Sequence, residues 1–198
     1  MTIPITLASG SASRRALLQN AGIEARAVTS GVDEDRLKLA MRDEGQSVAH
    51  QAMRLAEAKA LAVSKSNDGL VIGGDQMLAL GSRAFDKPDG VAGVRQHLRD
   101  LSGHTHTLET AIAIAQDDEI VWRHLQRPQL TMRVLNSGFI DDYIERAGPG
   151  ICNTVGGYQL EGLGIQLFSK IEGDYFSILG LPLIALLDYL RDRGMLRA

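Results

Sequence analysis

The chain opens on an alternation: in "IPITLAS", Ile3, Ile5 and Leu7 alternate with Pro4 and Thr6, the period of two that marks a half-buried strand. "SASRRALLQNAG" follows, with Leu17, Leu18 and Ala21 at helical spacing and Gly22 placed just past the helix end. The unit reads strand, tight polar turn, helix. From Ser47 to Ser64 the period is that of a long helix, with Val48, Ala52, Leu55, Ala56 and Val63 on one face and Lys59 near the middle of that stripe. "GLVIGGDQMLAL" predicts a short buried strand, Leu70 to Ile72, running into a Gly73-Gly74-Asp75 corner.

Further on, "DKPDG" is loop by its proline and glycine, and "VAGVRQHLRDLSG" is an amphipathic helix ending at Gly103. Three strand-like runs come next, "HTLETAIAIA", "EIVWRHL" and "QLTMRVL", the first two joined through "QDDE" as a hairpin. "SGFIDDYIERAG" is a short helix with Phe139, Ile140, Tyr143 and Ile144 on one side. Gly156, Gly157, Gly162 and Gly164 fall inside one loop before the strand "IQLFSKI". The last helix opens at Pro182, in the first helical position, and presents Leu183, Leu186, Leu187 and Leu190. Mixed strands and helices predict an α/β or mixed α+β architecture, a single domain over residues 1–198 with two lobes on one continuous sheet.

Composition narrows the function classes. A chain of 198 residues, 44% hydrophobic and 23% charged, buries a core without disulfide or metal staples and falls in the soluble globular range. One cysteine, Cys152, excludes an intramolecular disulfide and a cysteine-based zinc site; it reads as a passive thiol in a reducing compartment. The N-terminus lacks a signal-peptide pattern, and the apolar run "FSILGLPLIALLDYL" is broken by Gly180, Pro182 and Asp188, so the expectation is a cytoplasmic protein without a membrane span. A net charge of −3 and 5% aromatic residues offer no basic, stacking face for nucleic acid. Any anionic ligand must be held locally.

Four stretches supply candidates for that site. Arg14 and Arg15 stand in the first turns of a helix whose N-terminus already carries partial positive charge. If Ser9 or Ser11 caps it, hydroxyls, backbone N–H groups and guanidinium groups converge on a place that favours an anion, a phosphate chain above all; a serine cap followed by two solvated arginines accounts for the stretch as well. Lys59 faces inward, where it either snorkels to the helix margin or meets an anion. Asp75 follows a buried strand at the place where open α/β sheets bind ligands; beside a polyphosphate it would hold a divalent cation or activate water, while as a turn residue it would do neither. Lys87 precedes a loop proline, and Glu161 within "GGYQLEGLG" is a second candidate metal ligand or base. His104 and His106 alternate along a strand and read as a solvated face, not a metal pair.

In this order these segments resemble the Maf family of nucleoside triphosphate pyrophosphatases along essentially the whole chain. Ser9, Ser11, Arg14, Arg15, Leu17 and Leu18 are similar to the family's opening, "VDE" at 32–34 to its acidic segment, and "RLAEAKA" with Arg54 and Lys59 to its Leu-Ala-x-x-Lys-Ala helix. "IGGDQM" with Asp75 resembles its catalytic aspartate motif, "DKP" with Lys87 its Lys-Pro motif, and "LSGHTHTLETAIAI" its Ser-Gly-x-x-His segment, which reaches His106 and Thr110. "GGYQLEGLG" and "IEGDYFSILGLPL" are similar to its glycine loop and its ending.

The resemblance implies an elongated two-lobed fold with a nucleotide cleft, shared with the inosine triphosphatase group, whose motif order differs. It also implies a divalent cation (Mg²⁺, Mn²⁺ or Co²⁺), usually a homodimer, and hydrolysis between the α and β phosphates. Arg14, Lys59 and Lys87 would then neutralise the leaving pyrophosphate, Asp75 would orient or deprotonate water or hold the metal, and Ser9, Ser11 and Arg15 would bind. The chain departs from the commonest family pattern at Ala12, Ser13, Gln76, Thr154 and Glu161. Gln76 and Glu161 resemble the branch that prefers 7-methyl-GTP, and a carboxylate at 161 suits the donor edge of guanine. A nucleotide-binding regulator of cell division that does not turn substrate over is the alternative of another class.

Overall fold

Residues 3–197 are described by a computed structural model. In chain order it contains β1 (Ile5–Ala8), α1 (Ala12–Asn20), β2 (Arg26–Ala27), α2 (Glu34–Asp43), α3 (Val48–Ser64), β3 (Leu70–Leu80), β4 (Arg83–Phe85) and α4 (Gly90–Leu101). There follow β5 (Thr105–Gln116), β6 (Glu119–Gln126), β7 (Gln129–Met132), α5 (Ser137–Ala147), three short 3₁₀ turns between Pro149 and Leu167, β8 (Phe168–Glu172), α6 (Tyr175–Ile178) and α7 (Leu183–Asp192). The strands are hydrogen-bonded in the order β2-β1-β3-β5-β7-β8, with β4 on β3 and β6 on β5, a mixed sheet as expected. The chain divides into two units, Met1–Gln76, Thr110–Gln126 and Asp174–Ala198 forming the first and Met77–Glu109 with Arg127–Gly173 the second.

In the first unit β1 runs parallel to β2 and to β3, in register from Ile5↔Leu70 to Ala8↔Gly73. The hairpin between β5 and β6 turns through Asp117 and Asp118, both at positive φ (51° and 62°), as a tight two-residue turn requires. One face of this sheet sets Leu7, Leu70, Ile72, Ile112 and Ile114 against Leu17 and Leu18 of α1 and Leu183, Leu186 and Leu190 of α7. The other sets Ala8, Val71 and Ala115 against Ala60 and Val63 of α3. Lys59 and the apolar stripe read from periodicity are buried together.

β3 corrects the expectation of a short strand ending in a glycine corner. It runs on through Gly73, Gly74 and Asp75, and these glycines make no turn. A Cβ on Gly73 would stand 2.1 Å from the Ala56 carbonyl oxygen and 2.7 Å from the Ala60 nitrogen, so the bare backbone is what lets α3 lie directly on the strand. Three smaller corrections have local causes. Asp33 caps α2, a helix the apolar pattern did not announce, by accepting from Arg36 N at 3.0 Å. Pro182 caps α7 and Leu183 is the first helical residue, while Ile165–Leu167 turn in 3₁₀ form so that β8 starts only at Phe168.

In the second unit β4 pairs antiparallel with the end of β3, and β7 lies between β5 and β8, antiparallel to both. Here His106 is buried instead of solvated: its Nε2 is 2.7 Å from Tyr158 Oη, and both rings pack on Phe168. Burial pulls the imidazole pKa down from 6.5 to about 4 and raises that of Tyr158; nearby Tyr143, which donates to the Gly157 carbonyl, is pushed up to about 12. Unfolded His106 takes up its proton near 6.5 and folded His106 only near 4, so across this window the unfolded state binds more protons and stability falls as pH falls. The full loss through this group is on the order of 3 kcal/mol. His106→Gln keeps a hydrogen-bonding side chain without the titration, so urea unfolding at pH 7 and 4.5 should show a smaller pH dependence in the variant than in the parent. Equal slopes would assign the acid sensitivity elsewhere.

Candidate functional site

Ser9, Ser11 and Arg14 come together at the first turn of α1. Ser11 caps α1 by accepting from Arg14 N at 3.3 Å, Ser11 N donates to Ser9 Oγ at 3.2 Å, and no acidic residue stands in the first turn. Of the two arginines only Arg14 turns inward: Nε donates to the Gly180 carbonyl at 2.7 Å and Nη1 to Ser9 Oγ at 3.2 Å, while Arg15 is exposed. A Cβ on Gly74 would lie 3.2 Å from Arg14 Nε, so the guanidinium rests on bare strand. Burial pulls the Arg14 pKa down, and the carboxylates of Asp75 and Glu34 oppose that shift.

Lys59 is the second element. Its Nζ donates to Asp75 Oδ1 at 2.7 Å and pairs with Glu34 Oε2 at 2.9 Å. The Lys59 and Asp75 side chains are each 9% exposed and Glu34 is 40% exposed. An ammonium buried in this way meets an anion, the second of the two options its helical position left open. With Arg14 the group comprises two cations and two anions, so its formal charges balance. Glu34 pairs with Lys59, although the sequence placed it only in an acidic segment and not among the candidate site residues. Its signal was present in "VDEDRL", a capping aspartate followed by an acidic first turn.

Asp75 and Gln76 are neighbours on a strand and so project to opposite faces. Asp75 faces α3, whereas Gln76 Nε2 donates to Thr110 Oγ1 (2.8 Å) and to the carbonyls of Ser177 (2.9 Å) and Ile178 (3.1 Å). The donor end of Gln76, which its departure from the commonest family pattern singled out as a substrate-binding candidate, is committed within the protein. Lys87 and Glu161 are exposed residues of the second unit, Lys87 after β4 and Glu161 in a turn of the glycine loop. The loop's Gly157 packs tightly within its own unit, since a Cβ there would meet Val94 Cγ1 at 2.8 Å.

Two carboxylates within 3 Å of one point, Lys59 Nζ, are the hard oxygen donors that suit Mg²⁺ or Mn²⁺. Among the described residues no cluster of three or more His, Cys, Asp or Glu could hold a metal alone. Mg²⁺ commonly takes only one or two carboxylates and completes its shell with water and substrate phosphate, so the donor set fits a cation that arrives with a nucleotide.

A serine-capped helix N-terminus after a strand, beside a lysine-held aspartate, is the kind of place where α/β proteins can bind anions. The Maf-like protein family matches residues 4–193, and the chain belongs to that family. It is 58% identical over 196 residues to a nucleoside triphosphate pyrophosphatase of Hyphomonas neptunium, covering 99% of each chain. A protein of the same name from Rhodospirillum rubrum is 49% identical over 194 residues, 98% of this chain and 96% of its own. A 7-methyl-GTP pyrophosphatase of Rhizobium meliloti is 47% identical over 195 residues, 98% of each. No helix among the described residues is long and apolar enough to cross a membrane.

Proposed function

We propose that this chain is a nucleoside triphosphate pyrophosphatase, a hydrolase of acid anhydrides that cleaves between the α and β phosphates and releases a nucleoside monophosphate and pyrophosphate. The observation that carries the reading is Lys59 held between Asp75 and Glu34, with Arg14 buried close enough for both carboxylates to act on it. Ser9, Ser11 and the N–H groups of α1 cradle phosphate oxygens, and Arg14 directs its guanidinium at the charge that grows on the leaving group. Exposed Arg15 adds field at the same helix end. Lys59 fixes Asp75 through Oδ1, leaving Oδ2 to orient the attacking water and take its proton. The oxygen of that water bonds to phosphorus as the bridging P–O bond breaks, and the electron pair leaves with pyrophosphate.

A divalent cation (Mg²⁺, Mn²⁺ or Co²⁺), for which Asp75 and Glu34 are the available ligands, would screen phosphate charge and lower the pKa of a bound water. Lys87 keeps the charge-neutralising role the resemblance implies, and Glu161 remains a second candidate metal ligand or base. The protein works in the cytoplasm as a homodimer. Relatives of both names support either a broad triphosphate range or 7-methyl-GTP as substrate.

The test is pyrophosphate release from TTP, UTP, CTP, GTP and 7-methyl-GTP with Mg²⁺ or Mn²⁺. Turnover of at least one is expected, and no release from any of them overturns the reading. Glu161→Gln, which replaces an acceptor-only side chain by one that also donates, should weaken guanine nucleotides relative to TTP and UTP by roughly tenfold or more. An unchanged ranking removes Glu161 from base recognition.

A further inference from the structure

Thr110 is completely buried, yet its hydroxyl both donates and accepts. Oγ1 donates to the Ser177 carbonyl at 2.9 Å and accepts from Gln76 Nε2 at 2.8 Å. Gln76 Nε2 reaches the Ser177 and Ile178 carbonyls as well, so two residues from two neighbouring strands grip the end of α6. Asp174 grips its start, accepting from Phe176 N at 3.2 Å, from Ser177 N at 2.9 Å and from the Ser177 hydroxyl. A helix of four residues has little stability of its own, so these contacts decide where it sits. Two residues beyond it stands Gly180, whose carbonyl receives Arg14 Nε at 2.7 Å.

Arg14 donates here to neutral acceptors, a carbonyl and a hydroxyl, and the aliphatic stem that carries its rigid guanidinium has several rotatable bonds. Its direction is set by where those acceptors are. Ser9 lies at the helix cap, and Gly180 lies wherever the 174–180 segment is held. We propose that Thr110 and Gln76 are positioning residues for Arg14: they fix the segment that ends at Gly180, and its carbonyl aims the guanidinium at the bound anion. The proposal rests on the reading of Arg14 as a phosphate ligand and adds what holds Arg14 in place. It also gives Gln76 a role on the face opposite Asp75, where its donor hydrogens are already engaged.

A double-mutant cycle separates positioning from a general contribution to folding. Thr110→Val keeps the shape and removes both hydrogen bonds; Thr110→Ser keeps the hydroxyl. Thr110→Val is expected to weaken binding of inorganic pyrophosphate by roughly tenfold, to lower kcat more than it raises KM, and to be rescued by Thr110→Ser. Combined with Arg14→Ala it should cost nothing further. Gln76→Met serves as a second variant with the same expectation if Thr110→Val does not fold.

Equal losses with and without Arg14, failure of Thr110→Ser to restore binding, or pyrophosphate affinity indifferent to Arg14→Ala would each overturn the proposal. Should the protein release pyrophosphate from no triphosphate, the hydrolase reading falls on that result, while the binding cycle still decides this one.

Discussion

Asp75→Asn is expected to cut pyrophosphate release by about 10²- to 10⁴-fold, the range over which a positioned acid or base contributes. The substitution is nearly isosteric, and the amide oxygen can still accept from Lys59 Nζ, which Asp75 Oδ1 receives at 2.7 Å. What disappears is charge and basicity. The two-cation, two-anion group becomes net positive, so nucleotide affinity should hold or rise while kcat collapses, a split that packing damage would not produce. Kinetics at saturating nucleotide, alongside equilibrium binding of the same nucleotide, measure it. A variant that keeps more than a tenth of parental kcat would remove Asp75 from the chemistry.

The second large effect is structural in origin. Gly73→Ala places a methyl group 2.1 Å from the Ala56 carbonyl oxygen and 2.7 Å from Ala60 N, both on the backbone of α3, where no side chain can swing aside. Strand and helix must separate, at a cost of about 1–3 kcal/mol or more, as overpacked cores show. Because Lys59 rides on α3, the same displacement draws the ammonium away from Asp75, so activity should fall further than stability alone explains. Urea unfolding and pyrophosphate release on one preparation test both parts. Gly150→Ala, whose added methyl group meets nothing within 4 Å, is the control. A Gly73→Ala protein within about 0.5 kcal/mol of the parent would show that the contact relaxes freely, since substitutions away from such contacts usually stay within that range.

Both effects also mark where sequence was informative. The stripe carrying Lys59 was legible because a buried helix face repeats at a fixed angle, and a lysine inside it conflicts with that pattern. The serine cap of α1 was legible because capping is local chemistry. Glu34 was legible only as part of a helix start, because nothing local in "VDEDRL" shows that this start lies against Lys59 of another helix. The full length of β3 was hidden because two glycines before an aspartate read as a turn, when Gly73 admits α3 and Gly74 the Arg14 guanidinium, both from earlier in the chain. His106 was misjudged for a related reason: its partner Tyr158 is 52 residues away, beyond the reach of any local pattern.

The pairing of β1 with β3 bears on how this chain can change length over time. Ile5↔Leu70 through Ala8↔Gly73 fixes the register of the strand, and side chains alternate from there onward. One residue gained or lost between Leu70 and Gln76 would exchange what the two helical layers meet, handing the carboxylate to the 174–180 segment and the amide to Lys59. Insertions in the turn after Ser64 leave that parity untouched. Indels in descendants of this sequence should therefore accumulate in the turn between Ser64 and Leu70 and be absent from Leu70 to Gln76, a constraint on spacing that operates even where residue identities are free to drift.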